Sequence, residues 1–323
     1  MNETTTLSVV LPVYRESEHI EHSVAVIREV LVGLQVSFEI ICVDDGSPDG
    51  TWPSLVKAAQ SIPELRAIRL SRNFGKEGAM LAGLEASRGE AVIVMDSDLQ
   101  HPPSVIPEML ELWQNGDCKI VDGVKNVANR GSWLSEFGAN LFYRTFRKIA
   151  KADLENSSDF KLLDREVVDA YLALRERRLF FRAMISWMGY TRAKVHFDVA
   201  DRTAGVSKFS PFKLIHMAGE SVVSFSPLLM HGATACGALF LVFAIALGLH
   251  TSYQKIVGRA VEGFATVILI ELVVGSIVLL GLGVIGAYIA RIHEELKDRP
   301  RYLIEEELKD KRIRREARVN RAA

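Results

Sequence analysis

Apolar and polar positions along the first two hundred residues fall into two alternating rhythms. Short, β-branched runs at Leu7 to Val13, Phe38 to Asp44, Leu65 to Leu70, Ala91 to Met95 and Lys119 to Val121 read as strands. Between them, Ser17 to Leu34, Thr51 to Ser61, Lys76 to Ala86 and Ser104 to Asn115 carry apolar residues at helical spacing. Strands alternating with helices predict an α/β domain with a mainly parallel sheet. Farther on, Trp133 to Ala150 has the spacing of an amphipathic helix packed on that sheet. A charged turn is expected from Asn156 to Lys161, an edge strand from Ala193 to Val199 and a basic, glycine-containing loop from Asp201 to Lys208. No G-x-G-x-x-G follows the first strand, which argues against a Rossmann dehydrogenase.

The rhythm changes after Phe209. A mostly apolar helix from Phe209 to Phe225 leads to Pro227, and two apolar segments follow, Leu228 to Leu249 and Phe264 to Ala290. Crossing a bilayer takes about 20 apolar residues, so each is long enough. The loop between them carries few charges, whereas the chain after Arg291 is dense in Lys and Arg, which puts both ends of the hairpin in the cytoplasm. The expected organisation is a cytoplasmic catalytic domain over residues 1–205, a juxtamembrane amphipathic helix over 206–226, a two-helix transmembrane hairpin over 227–290 and a basic cytoplasmic tail over 291–323. Such a protein is a multi-pass component of the cytoplasmic membrane. Glu271 is the one formal charge in the second segment and reads as a snorkelling or helix-pairing contact. Small residues in both segments, among them Gly237, Gly275 and Gly283, permit close helix packing and hence a homo-oligomer.

Charge narrows the partners. With 39 basic against 40 acidic residues there is no global field to attract nucleic acid. Cys42, Cys118 and Cys236 have no metal-like spacing and read as small apolar fillers in a reducing compartment.

The chemistry concentrates where the strands end. The first ends in Pro12-Val13-Tyr14-Arg15-Glu16, the second in Asp44-Asp45-Gly46, the third leads to Gly75-Lys76-Glu77, and the fourth runs into Asp96-Ser97-Asp98-Leu99-Gln100. In an open α/β sheet ligands bind beyond the carboxyl ends of the strands. One cleft is therefore expected to hold Tyr14, Glu16, Asp44, Asp45, Lys76, Asp96 and Asp98. Taken alone, D-x-D fits a pair of turn-capping aspartates as well as a cation site, and Asp44 to Gly50 has turn-forming residues. Together, five acids on one edge repel unless a cation or donors balance them. A nucleotide sugar suits this edge: Asp96 and Asp98, with Gln100 behind them, hold Mg²⁺ or Mn²⁺ while leaving coordination places for phosphate oxygens. Lys76 assists the cation, and Asp44 with Pro12, Tyr14 and Glu16 takes ribose or base.

The ordered series PVYRE, VDDGSPDGT, SRNFGKEGA, MDSDLQHPP, SDFKLLDR and DRTAGVSKF, then two apolar helices and RPRYLIEE, resembles the polyprenyl-phosphate glycosyltransferases of family 2. The likeness is to the bactoprenol (undecaprenyl-phosphate) glucosyltransferase type, with dolichol-phosphate mannose synthase more distant. It runs from about Leu7 to Glu307 and implies a GT-A fold and inverting transfer of one hexose from a UDP-sugar to a polyprenyl phosphate. It also implies that Asp44 and Asp45 bind the nucleotide, that Asp96, Asp98 and Gln100 form the metal site, and that Asp159 lies near the acceptor. Arg130, Lys161, Arg202 and Lys208 match basic positions that meet the acceptor phosphate or the diphosphate. Arg15 stands where the family usually has Asn, while Ser158 and Lys161 replace Gly and Arg; lysine lacks the bidentate fork that suits phosphate. A processive polysaccharide synthase would carry a later Gln-x-x-Arg-Trp motif and more membrane helices, and a non-catalytic scaffold would have no use for the intact series.

Overall fold

The structure is a computed structural model and describes residues 6–125, 157–174, 180–198, 263–297 and 299–308, with scattered positions between 237 and 258. The chain divides into two compact units, Met1–Val206 with Arg299–Ala323, and Ser207–Asp298.

The first unit is built on an eight-stranded sheet in the order β7-β5-β6-β4-β1-β2-β3-β8. Its centre is parallel: β1 (Leu7–Val13) lies between β2 (Phe38–Asp44) and β4 (Ala91–Val94), and β2 pairs with β3 (Leu65–Leu70). These strands are covered on both faces, so almost every position is buried, and continuous apolar runs rather than strict alternation are what the fold requires. The covering helices are α1 (Ile20–Gly33), α2 (Thr51–Ser61), α3 (Lys76–Ala86) and α4 (Ile106–Gln114). One core cluster runs through the sheet from Leu7 and Ile40 to Phe160 and Phe197. Cys42 and Cys118 lie within it as free, buried thiols.

The flank departs from the expected pattern. β5 (Ile120–Lys125) is longer than Lys119 to Val121, and the segment expected as a charged turn is strand β6 (Ser157–Asp164), inserted antiparallel between β4 and β5. Its polar residues conceal it, because Ser158, Asp159 and Lys161 are buried with partners: the Ser158 hydroxyl donates to the Gly123 carbonyl at 2.6 Å, Asp159 binds Lys76 and Lys161 pairs with Asp122. Helices α5 (Arg165–Leu172) and α6 (Phe181–Trp187) follow, and β7 (Arg192–Phe197) is the edge strand expected there. The amphipathic helix expected at Trp133 to Ala150 lies outside the described residues.

A second departure is at the other edge. Residues 304–308, expected within a basic tail, form β8 (Ile304–Leu308), antiparallel to β3. Three consecutive glutamates fasten it. Glu305 lies 3.5 Å from Arg69, Glu306 accepts from the Trp52 indole at 3.0 Å, and Glu307 pairs with Arg66 at 3.3 Å. Charged side chains on this edge strand also discourage further strand addition.

In the second unit, α7 (Phe264–Leu296) spans 33 residues, about 50 Å at helical rise. Val273–Ala290 is long and apolar enough to cross a membrane, and none of that stretch is buried. Of the first apolar segment only scattered helical positions are described.

Arg66 joins the returning strand to the sheet: besides Glu307 it holds the buried Glu39 at 2.9 Å and donates to the Ala86 carbonyl at 2.7 Å. Arg66→Met should leave Glu39 a buried, unpaired charge and destabilise the fold by about 3–5 kcal/mol. Denaturant unfolding of the full chain reads this out, and a loss below about 1 kcal/mol would show that the network carries little weight.

Candidate functional site

The ends of β1, β2 and β4 and the start of α3 surround a cavity of about 310 Å³. Backbone ties shape its rim. The amide of Arg15 donates to the Ser47 hydroxyl at 3.0 Å and that of Glu16 to the Thr51 hydroxyl at 2.9 Å, binding the β1 loop to the β2 loop. Asp45 accepts the amides of Phe74 at 2.7 Å and Gly75 at 2.9 Å, which fixes the turn that launches α3. Gly46, at φ 63°, is required there: an added Cβ would lie 2.4 Å from the Arg72 backbone. Two non-glycine residues at the rim, Arg15 and Leu99, are held in left-handed backbone at φ 59° and 57°. Such strain collects at functional sites.

The register sets the charges. β4 pairs Val94 with Lys161, and beyond that last pair the like-charged Asp96 and Asp159 come to one ammonium. Lys76 resolves the conflict. Its ammonium binds Asp96 and, at 2.6 Å, Asp159. Arg182 adds a fork to Asp159, Nε to Oδ1 at 2.6 Å and the second nitrogen to Oδ2 at 2.8 Å. Burial pushes the Asp159 carboxyl up, but the Arg182 hydrogen bonds and the two cations outweigh it and hold it well below the usual carboxylate range. For Lys76 burial alone would lower the ammonium, and the charges of Asp96 and Asp159 raise it instead. Burial and the neighbouring Asp98 raise Glu16.

Behind the D-x-D, His101 orders the loop. Its Nδ1 accepts the Asp96 amide at 3.2 Å while its ring stacks on Phe160, and burial lowers it to about 4, so it is neutral near pH 7. Asp98 accepts the Gln100 amide at 3.1 Å.

Residues 8–172 match the family described as Glycosyl transferase family 2. The chain belongs to that family. An uncharacterized glycosyltransferase of Synechocystis sp. is 37% identical over 303 residues, covering 93% of this chain and 95% of the relative. The SfII prophage-derived bactoprenol glucosyl transferase of Shigella flexneri is 36% identical over 300 residues, covering 92% of this chain and 97% of its own length. Among solved structures, glucosyl-3-phosphoglycerate synthase of Mycobacterium tuberculosis in complex with Mn²⁺ and UDP-glucose matches 68% of this chain and 77% of its own, at 21% identity and a TM-score of 0.44. The protein is thus a glycosyltransferase with the mostly parallel α/β sheet of the GT-A kind.

Of the transferase's expected site residues, Pro12, Tyr14, Glu16, Asp45, Lys76, Asp96 and Asp98 line the one cavity. Asp44 does not reach it. It is fully buried, one oxygen accepting the Ser47 amide at 3.0 Å and the other lying 3.6 Å from Arg69 without a hydrogen bond. Lys161 requires correction: only 1% of its side chain is exposed and its ammonium is engaged by Asp122, with Arg192 on the far oxygen at 3.4 Å, so its charge is committed to the interior. Arg130, Arg202 and Lys208 lie outside the described residues. Sequence reasoning passed over Arg182, Glu77 and His101. Arg182 sits in an apolar run, Phe180 to Ile185, where one arginine in the first turn of a helix was the available signal.

Glu77 is shifted toward neutrality. Burial, then the charge of Asp159, push its carboxyl up to about 7, against the Phe181 amide that it accepts at 3.1 Å. The folded protein keeps a proton that the unfolded chain releases near 4.5, so this contribution to stability is complete below that pH and is lost as pH rises through about 7. Glu77→Gln should flatten this limb, with Tm between about pH 5 and 8 falling less than in wild type; parallel slopes would refute the assignment. Arg15→Asn, which tolerates left-handed backbone, should recover up to about 1 kcal/mol in denaturant unfolding, and a loss would show that Arg15 is not strained.

Proposed function

We propose that this transferase moves one hexose, glucose from UDP-glucose, with inversion to a polyprenyl phosphate at the cytoplasmic face of the membrane. The observation that carries the reading is the cross-strand cluster itself. A D-x-D at the end of β4 faces a cavity shared with Tyr14, Glu16 and Asp45, and it is coupled through Lys76 to an acid and an arginine on the neighbouring strand and helix. The bactoprenol relatives, alike over most of the chain, supply the acceptor class.

The donor set suits a divalent cation. Asp96 and Asp98 present hard carboxylate oxygens at one rim of the cavity, as Mg²⁺ or Mn²⁺ with phosphate ligands prefers. When bound, the ion offsets charge developing on the departing nucleoside diphosphate. The chain's own residues do the rest. Lys76 stands next to the same rim with a second positive charge, Tyr14 and Glu16 border the donor, and Asp45 keeps the α3 turn in place. Asp159, held ionised by Arg182, orients the acceptor side instead of taking a proton. No base is required, because a phosphate whose second pKa lies near 6 already attacks as an anion. Arg130, Arg202 and Lys208 are proposed to meet the acceptor phosphate, with Arg182 in place of Lys161.

Connectivity supports the membrane assignment. β7 and β8 belong to one sheet, so a chain that enters the bilayer between them must cross it an even number of times. Val273–Ala290 supplies one crossing and 228–249 is proposed as the other, with sheet and tail on the cytoplasmic side.

Purified full-length protein incubated with undecaprenyl phosphate and a panel of UDP- and GDP-sugars should form lipid-linked glucose from UDP-glucose. Asp98→Asn should lower the rate by about a hundredfold or more. Transfer from a different donor would correct the sugar, near-normal turnover of Asp98→Asn would sink the metal site, and no lipid-linked product from any donor would sink the reaction.

A further inference from the structure

Lys76 holds one of the two carboxylates that would bind a metal ion. Its ammonium joins two carboxylates delivered by different strands, Asp96 beyond β4 and Asp159 on β6. The two acids are not equally dependent on it. Asp159 keeps the Arg182 fork if Lys76 leaves, whereas among the described residues Lys76 is the salt-bridge partner of Asp96, and Asp98 forms no salt bridge. A divalent cation entering at Asp96 would therefore meet an ammonium already on that carboxylate. Two cations on one acid repel unless further negative charge arrives with them. A nucleoside diphosphate brings that charge. Lys76 is free to follow it, since 40% of its side chain is exposed and it is the first residue of α3, after Gly75 at φ 90°.

We propose that Lys76 is the resident counter-ion of the site. Without nucleotide it holds Asp96 and Asp159 together and opposes the divalent cation; when cation and nucleotide enter together it passes to the donor diphosphate. Cation and nucleotide binding are then coupled through one side chain, and each raises the affinity for the other. Asp159 stays ionised and oriented by Arg182 throughout, so donor binding leaves the acceptor side assembled. This inference rests on reading the D-x-D as the cation site.

Mn²⁺ binding to the full-length protein, followed by loss of the free-ion EPR signal with and without UDP, tests it. Wild type should bind Mn²⁺ weakly alone and more tightly with UDP. Lys76→Met should bind Mn²⁺ about threefold or more tighter than wild type without UDP and gain less from UDP, while Lys76→Arg, which keeps the charge, should follow wild type. Lys76→Met binding Mn²⁺ no tighter than wild type without UDP, or Lys76→Arg behaving like Lys76→Met, overturns the counter-ion role and leaves the cation site standing. Wild type that binds no Mn²⁺ even with UDP overturns the cation site, and the proposal with it.

Discussion

A carboxylate kept charged in the interior is what the rest of the site depends on. Asp159 is 5% exposed, and an unpaired buried charge costs several kcal/mol, so its partners must be in place for the chain to fold as it does. Those partners come from separate elements: Lys76 opens α3 and Arg182 lies in the first turn of α6. Satisfying one buried acid thus fixes a helix from the middle of the parallel sheet against a helix from its antiparallel flank. The antiparallel β4–β6 pairing does the complementary job by running β4 out toward Asp96 beside the strand that carries Asp159. Geometry at the cavity is a consequence of charge balance inside the fold.

The same dependence on paired charge closes the opposite edge. β3 would be an open edge without β8, and β8 reaches it only after the chain has passed through the second unit. Arg66, Arg69 and Trp52 each take one of three consecutive glutamates. Arg69 also lies 3.6 Å from the buried Asp44, so the returning strand and the acid expected to bind nucleotide share a cation. The sheet is therefore completed by residues from both sides of the long apolar helix.

What was legible in the sequence follows from these two facts. The central strands and the bounds of α2 and α3 could be read directly, since doubly covered parallel strands are continuous apolar runs, α2 has a polar face, and α3, buried from Gly78 to Leu84, is set off by Gly75-Lys76-Glu77 and Ser87-Arg88-Gly89. Most of the cavity was legible too, because parallel strands deliver their ends to one edge. β6 and β8 were not. Ser158, Asp159 and Lys161 look like a turn, and Glu305 to Glu307 like a tail, until their partners are known, and those partners are distant in sequence: Asp122 for Lys161, Trp52 for Glu306, Arg66 for Glu307. Lys161 was misassigned for the same reason, as one strand can carry a cation for the interior and an acid for the site at neighbouring positions.

The direction of the Asp159 shift bears on the mechanism of the proposed transfer. A general base works best with a pKa near the working pH, and Asp159 is held far below that range by the residues that position it. Glu77 is better matched in pKa, but one of its oxygens is occupied by the Phe181 amide that starts α6, and it does not line the cavity. Neither acid is arranged to take a proton from a bound acceptor. An acceptor that arrives ionised removes the need, and a phosphate does so where a sugar hydroxyl would not. The cluster is thus suited to an anionic nucleophile, with cations to place it and a nucleotide leaving group across the cavity. That preference comes from the electrostatics of this chain and agrees with the acceptor class named for its bactoprenol relatives.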